Sequence, residues 1–334
     1  MKMKSNMFYA TMILALTLAS CGQKSNSTET AADDKPAVQF NAPQFNADSA
    51  YYFTDAQVKF GPRVPNTKAH DNCAKYLEEQ LSRFGAKLYM QDCILKAYDG
   101  TKLKSVNIIG SYNPDSKDRV LLCAHWDSRP FADHDPDTTN YHKPILAADD
   151  GASGVAVLLE IARQISIKAP TIGVDIIFFD SEDYGVPDFE TKSYSGDSWC
   201  LGTQFWAKHP HVPNYTAKYG ILLDMVGARN ATFYREEMSV QKAAPIVETV
   251  WSKAQDLGYN SYFVNTAGGA ITDDHLYVMS GRKIPCIDII NLDPSSQTGF
   301  AAHWHTVSDD MGNIDRATLK AVGQTVMEVI YSEK

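Results

Sequence analysis

The run Val174-Asp175-Ile176-Ile177-Phe178-Phe179, closed by Asp180-Ser181-Glu182-Asp183, decides the architecture. It is apolar at every position but Asp175, and it has the length of a strand rather than a helix. A nearly continuous apolar strand suits a parallel sheet, where both faces are covered. The acids that close it stand where open α/β sheets bind ligands, at a carboxyl end. The same grammar recurs elsewhere. Residues 119–125 run into Ala124-His125-Trp126-Asp127-Ser128, and residues 219–225 end around Asp224. Residues 285–290 form another such run, and residues 87–95 and 105–112 read as further strands. Helical spacing is found in residues 67–84, where Ala74, Leu77, Leu81 and Phe84 recur on one face. Residues 49–60, 155–165, 199–208, 245–257 and 316–330 read as helices too. Strands alternating with helices imply a three-layer α/β/α sandwich around a mostly parallel mixed sheet.

The chain has 334 residues, 44% of them apolar, and a net charge of −9. It has no long Lys/Arg run, which argues against a nucleic-acid partner. Lys2 and Lys4 precede an apolar run over residues 12–19. That run is shorter than the about 20 residues a spanning helix needs and fits a signal-peptide core. It ends in Leu18-Ala19-Ser20-Cys21, a bacterial lipobox pattern in which the cysteine takes a lipid. The expectation is an exported lipoprotein, anchored to a membrane through Cys21 on the periplasmic or cell-surface side. Residues 1–21 then form the signal peptide. Residues 22–46, polar and aperiodic, form a flexible tether, and residues 47–334 form the catalytic domain. Beyond Cys21, Cys73, Cys93, Cys123, Cys200 and Cys286 match no zinc-finger spacing, and one disulfide among them is possible.

The chemistry gathers in a few acid and histidine clusters. They are His125-Trp126-Asp127, Asp149-Asp150-Gly151-Ala152-Ser153-Gly154, Asp180 to Asp183, Asp224, Asp273-Asp274-His275 and His303-Trp304-His305-Thr306. Each alone reads as a solvated loop or a helix cap. Together, acids converging on one sheet edge repel one another unless a cation neutralises them. Carboxylate and imidazole without clustered thiolates is the ligand chemistry of catalytic zinc. No Gly-x-Ser-x-Gly stands at a strand-to-helix turn, so a serine hydrolase is disfavoured.

As an ordered set, His125 and Asp127, Asp150, Glu182 with Asp183, Asp224 and His305 resemble the motif series of the zinc exopeptidases, the family that contains the co-catalytic zinc aminopeptidases. Phe60-Gly61-Pro62-Arg63 belongs to the same resemblance. Within that family, Ala124-His125-Trp126-Asp127-Ser128, Asp273-Asp274-His275 and Trp304-His305-Thr306 followed by Asp309 are most similar to the animal-type glutaminyl cyclases and their bacterial relatives. The resemblance implies a zinc-aminopeptidase-like fold and one zinc ion held by Asp150, Asp183 and His305. It implies Glu182 as general acid/base, with Asp224 and Asp273 as its hydrogen-bonded partners. Trp304 walls the pocket, with Trp126 and Phe300 as further pocket candidates. The implied reaction turns the N-terminal glutamine of a peptide or protein into pyroglutamate with loss of ammonia. His125 and Asp127 lie behind the ligands, Asp127 orienting His125, or His125 and Asp224 hold a second zinc.

The sequence departs from the family pattern where Glu182-Asp183 replaces two glutamates. The tryptophan expected shortly after that pair has two candidates, Trp199 and Trp206, with the long loop over residues 184–198 as the alternative to either. A di-zinc aminopeptidase using the same carboxylates, and a non-catalytic peptide-binding surface lipoprotein, are the competing readings.

Overall fold

The computed structural model describes residues 40–334. The expected signal peptide, Cys21 and residues 22–39 of the expected tether lie outside the described residues. The central sheet has six strands. They are β1 (Lys87–Lys96), β2 (Lys102–Tyr112), β3 (Arg119–His125), β4 (Gly173–Phe179), β5 (Gly220–Asp224) and, last in the chain, β8 (Cys286–Ile290). Their order across the sheet is β1-β2-β4-β3-β5-β8. The pairs β4/β3, β3/β5 and β5/β8 are parallel, and the β1/β2 hairpin adds an antiparallel edge. Cys123 lies beside Ile177 on one side and Leu222 on the other, so the acids that end β3, β4 and β5 share one edge. A small second sheet pairs β6 (Phe233–Arg235) with β7 (Phe263–Ala267).

Alternate residues of each strand serve opposite layers. Val120, Leu122, Ala124, Val174, Ile176, Phe178, Ile221 and Leu223 pack with α1 (Ala47–Val58), α2 (Lys68–Arg83), α3 (Ala152–Ile167), α5 (Glu237–Asp256) and α7 (Arg316–Ser332). Leu121, Cys123, Ile177, Phe179 and Leu222 pack under α4 (Leu201–Lys208) and α6 (Asp274–Arg282). This is the expected three-layer α/β/α sandwich with a mostly parallel mixed sheet. All five cysteines among the described residues are buried and unbridged.

Two boundaries differ from the sequence reading. Residues 41–45, read as the end of the tether, are tied to α7. The Asn41 N–H donates to Glu328 at 2.9 Å, that of Phe45 donates to Gln324 at 2.8 Å, and the Phe45 ring is buried. Polar composition hid this because the ties are side-chain acceptors on α7 reaching backbone donors. Helix α5 begins at Glu237, not at residue 245, because it bends at Ala243 (φ −141°), just ahead of Pro245. Its first turn is capped by Glu236, which accepts from the N–H groups of Met238 and Ser239.

The loop from Asp149 to Gly154 can follow its path only because two residues lack side chains. Gly151 has φ +105°, and a Cβ there would meet the Asp127 carbonyl at 2.7 Å. At Gly154 a Cβ would come within 2.2 Å of the Leu223 carbonyl, so α3 starts in direct contact with β5.

Candidate active site

Three neighbouring strand ends and the loop entering α3 bring the predicted residues together. His125 closes β3, and its Nε2 lies 3.0 Å from Asp150 Oδ1 and 3.2 Å from Asp224 Oδ1. His305 arrives from the loop before α7; its Nε2 is 3.2 Å from Asp183 Oδ1 and 3.6 Å from Asp150 Oδ2. One donor atom each from Asp150, Asp183 and His305 lies within 4.8 Å of the others, and the same holds for His125, Asp150 and Asp224. Asp150 belongs to both groups. The first set fits a divalent ion by donor chemistry: two carboxylates and an imidazole, all buried, with Asp183 Oδ2 lacking any hydrogen-bond partner.

The backbone around these groups is forced. Ala147, Ser181, Cys200, Met225 and His305 all hold φ between +50° and +54°. Such left-handed backbone is uncommon for residues with a side chain, and it clusters at functional sites. Several buried groups hold it in place. Asp309 accepts the N–H groups of Asp149 (2.8 Å) and Asp150 (3.1 Å). Arg63 donates to the carbonyls of Trp126, Leu146 and Ala147, fastening the β3 end to that loop. Ser153 accepts from the Val226 N–H and donates to Asp149 O, so it is a strut and not a nucleophile.

Asp127 takes a larger part than orienting His125. Its two oxygens accept the N–H groups of Glu182 (3.0 Å) and Asp183 (3.2 Å), and Oδ1 is only 3.5 Å from His125 Nδ1. One carboxylate thereby fixes the corner that carries both Glu182 and Asp183. Arg129 and Asp133 were not singled out from sequence. The Arg129 guanidinium, fully buried, forks onto Asp133 at 2.7 and 2.6 Å and reaches Asp183 O at 3.1 Å. Asp133 lies 3.5 Å from His305 Nδ1 and supplies that ring's carboxylate partner. Burial alone would raise the Asp133 carboxyl, but Arg129 holds it well below the usual range.

The pocket above these groups has a volume of about 360 Å³. Its walls include Glu182, Asp224, Asp273, Trp199, Phe300 and Trp304, so Trp304 and Phe300 stand where the sequence placed them. Trp304 stacks on His305 with ring centres 3.7 Å apart and packs at a tilt against Phe300 at 4.4 Å. Trp126 does not reach the pocket. It points to the opposite side of the β3 end from His125, fully buried, stacks on His70 at 4.3 Å and donates to Val106 O. Of the two later tryptophans, Trp199 lines the pocket while Trp206, on α4, is buried against the sheet.

The electrostatics follow from depth. Glu182 is pushed well above the ordinary carboxylate range, first by burial; His125 opposes the shift, and Asp183, Asp273 and Asp274 add to it. Asp224 rises to about 6, mainly through burial, with the hydrogen bond from His125 opposing. Asp273, the N-cap of α6, is also pushed well up by burial, then by Asp224 and Asp274.

Residues 107–330 match the profile of Peptidase family M28. A Zn-dependent exopeptidase from Parabacteroides distasonis is similar in structure, with a TM-score of 0.87 and 67% identity over 87% of this chain and all of that one. Tannerella forsythia glutaminyl cyclase is similar with a TM-score of 0.86 and 63% identity, again over 87% of this chain and 100% of the other. The glutaminyl-peptide cyclotransferase of Bos taurus is 28% identical over 250 residues, 68% of this chain, and the chain spans 65% of that relative's length. With the profile running from β2 into α7, and with the strand-end acids and His305 brought together as described, the chain belongs to Peptidase family M28.

Proposed function

We propose that this chain is a glutaminyl-peptide cyclotransferase, closing the N-terminal glutamine of peptides to pyroglutamate with release of ammonia. The observation that carries this reading is the separation of roles at one pocket. Asp150, Asp183 and His305 gather donor atoms for an ion, while Glu182, adjacent in sequence but outside that group, presents a buried carboxylate to the cavity. The similarity to proteins named glutaminyl cyclases supports it.

The substrate's α-amine attacks its own γ-carboxamide carbon, forming the ring C–N bond and breaking the bond to the amide nitrogen. Both groups sit in one residue, so proximity is built in. Asp150, Asp183 and His305 would hold a zinc ion, which when bound would supply Lewis-acid polarisation of the carboxamide oxygen. Glu182 takes the proton that the amine gives up and returns it to the departing nitrogen, which leaves as ammonia. Its burial favours the protonated form and so strengthens it as a proton acceptor. Asp224 and Asp273 flank the same cavity and share the negative field. Trp304, Phe300 and Trp199 wall the cavity and limit the water that would otherwise hydrolyse the amide.

The rival is a di-zinc aminopeptidase, for which the group His125, Asp150 and Asp224 would hold the second ion. His125 Nε2 stands 3.0 Å from Asp150 and 3.2 Å from Asp224, and His305 Nε2 stands 3.2 Å from Asp183, so spacing does not separate the two groups. A single zinc goes with the cyclase reading, and the metal count is tested with it. The test is a glutamine-initiated dipeptide incubated with the purified chain. Ammonia released with the peptide bond intact, at close to one zinc per chain, is the expected result. Free amino acids at two zincs per chain would overturn it.

We also propose that the chain is exported and anchored through a lipid on Cys21, on the strength of the Leu18-Ala19-Ser20-Cys21 motif. Cys21→Ala should move the protein from the detergent phase to the aqueous phase in a partition assay. An unchanged distribution would refute the anchor.

A further inference from the structure

Glu182 has to present its carboxylate in one orientation, yet among the described residues its side-chain oxygens accept a single hydrogen bond. That bond comes from a thiol: Cys200 Sγ lies 3.1 Å from Glu182 Oε1. The contact is part of a larger grip. The N–H of Cys200 donates to Glu182 O at 2.9 Å, and the N–H of Leu201 donates to Ser181 O at 3.0 Å. The start of α4 therefore holds both the backbone and the side chain of the corner that carries the proton-transfer group. Cys200 stands there with φ +54°, a conformation that a residue with a side chain keeps only when its surroundings impose it. Behind it, Thr203 donates to Asp274 Oδ1 at 2.6 Å, fixing the next carboxyl in the row. Cys200 has no solvent exposure and is not part of the cavity wall. Substrate contact therefore does not explain it.

We infer that Cys200 is a positioning residue for Glu182, its S–H hydrogen fixing the carboxylate that faces the pocket. This rests on the cyclase reading for the role of Glu182, but the hydrogen bond itself does not. Burial, with Glu182 beside it, keeps the thiol protonated, so sulfur is the donor. A thiol is a weak donor, and it can orient a carboxylate without competing strongly for its charge.

The test uses the zinc-loaded full chain and the variants Cys200→Ala, Cys200→Ser and Glu182→Gln. In infrared difference spectra of wild type against Cys200→Ser, the Cys200 S–H stretch should lie below that of an unbonded buried thiol. The same difference taken in the Glu182→Gln background should move the band part of the way toward the unbonded position, because an amide oxygen is a weaker acceptor than a carboxylate. Cys200→Ala should lower kcat for a glutamine-initiated dipeptide by about tenfold, with KM and melting temperature nearly unchanged, as expected for one lost hydrogen bond to a charged group. Cys200→Ser, which restores a donor on the same strained backbone, should recover most of the rate. An unshifted band, a band indifferent to Glu182→Gln, or full kcat in Cys200→Ala would overturn the inference. A chain that shows the shifted band yet turns over no glutamine peptide would refute the cyclase reading and leave the thiol contact standing.

Discussion

Glu182→Gln is expected to lower kcat by roughly 10²–10⁴-fold, the usual contribution of a positioned proton-transfer group. Zinc content should stay at the wild-type level. Asp150, Asp183 and His305 are untouched, and the Asp127 clamp acts on the backbone of residue 182 and not on its side chain. Glutamine has nearly the shape of glutamate and still offers an oxygen to Cys200, so the pocket should keep its form. What it cannot do is take up the amine proton. Steady-state kinetics beside metal analysis decide the matter. Wild-type turnover, or loss of metal together with activity, would mean that Glu182 has been given the wrong task.

Arg129→Met should destabilise the fold by roughly 3–5 kcal/mol, the range for removing one partner of a buried ion pair. The side chain lies against Asp133, Asp183 and the ring of Trp199, and methionine would fill much of the space. Without the guanidinium, the Asp133 carboxylate would be left charged and desolvated. Zinc affinity should fall as well, by about 10–100-fold, because Asp133 would lose the fixed position from which it supports His305. Lysine at this position should restore only part of the stability, since a single ammonium cannot fork onto Asp133 and also reach residue 183. The urea midpoint with excess zinc and a competition titration with a chelator measure the two effects. An unchanged midpoint would show that the ion pair adds little to the fold.

Much of this architecture was legible because strand and site share one local signal. An apolar run such as residues 174–179 ending in acids announces both a buried strand and its functional edge, and β3, β4, β5 and β8 all formed within a residue or two of expectation. The ordered acids and His305 lie together at the strand ends. The failures have physical causes. Trp126 follows a histidine that does face the site, so strand alternation turns it to the opposite side, against His70 and Val106. Helix α6 and strands β6 and β7 were missed because their apolar faces are short, and the exposed residues of β7 carry no strand pattern. Arg129 and Asp133 sit on an irregular loop with no periodicity, so nothing local marks them as a buried pair. A buried arginine of this kind becomes visible only when its partners, here over fifty residues away at Asp183, are brought beside it.

The five left-handed residues around the cavity have a consequence for anyone who wants a hardier protein. Glycine would relax the backbone at Ala147, Ser181, Cys200, Met225 or His305, and an automated stabilisation scheme would propose it first. At His305 and Cys200 the side chain is the reason for the conformation. Met225 forms part of the cavity wall, and Ser181 bonds to Ser105. Thermal robustness engineered at those four places would be gained at the expense of the chemistry. The useful substitutions lie on the outer faces of helices such as α2 and α5, far from the rim where conformational tension and reactivity are the same property.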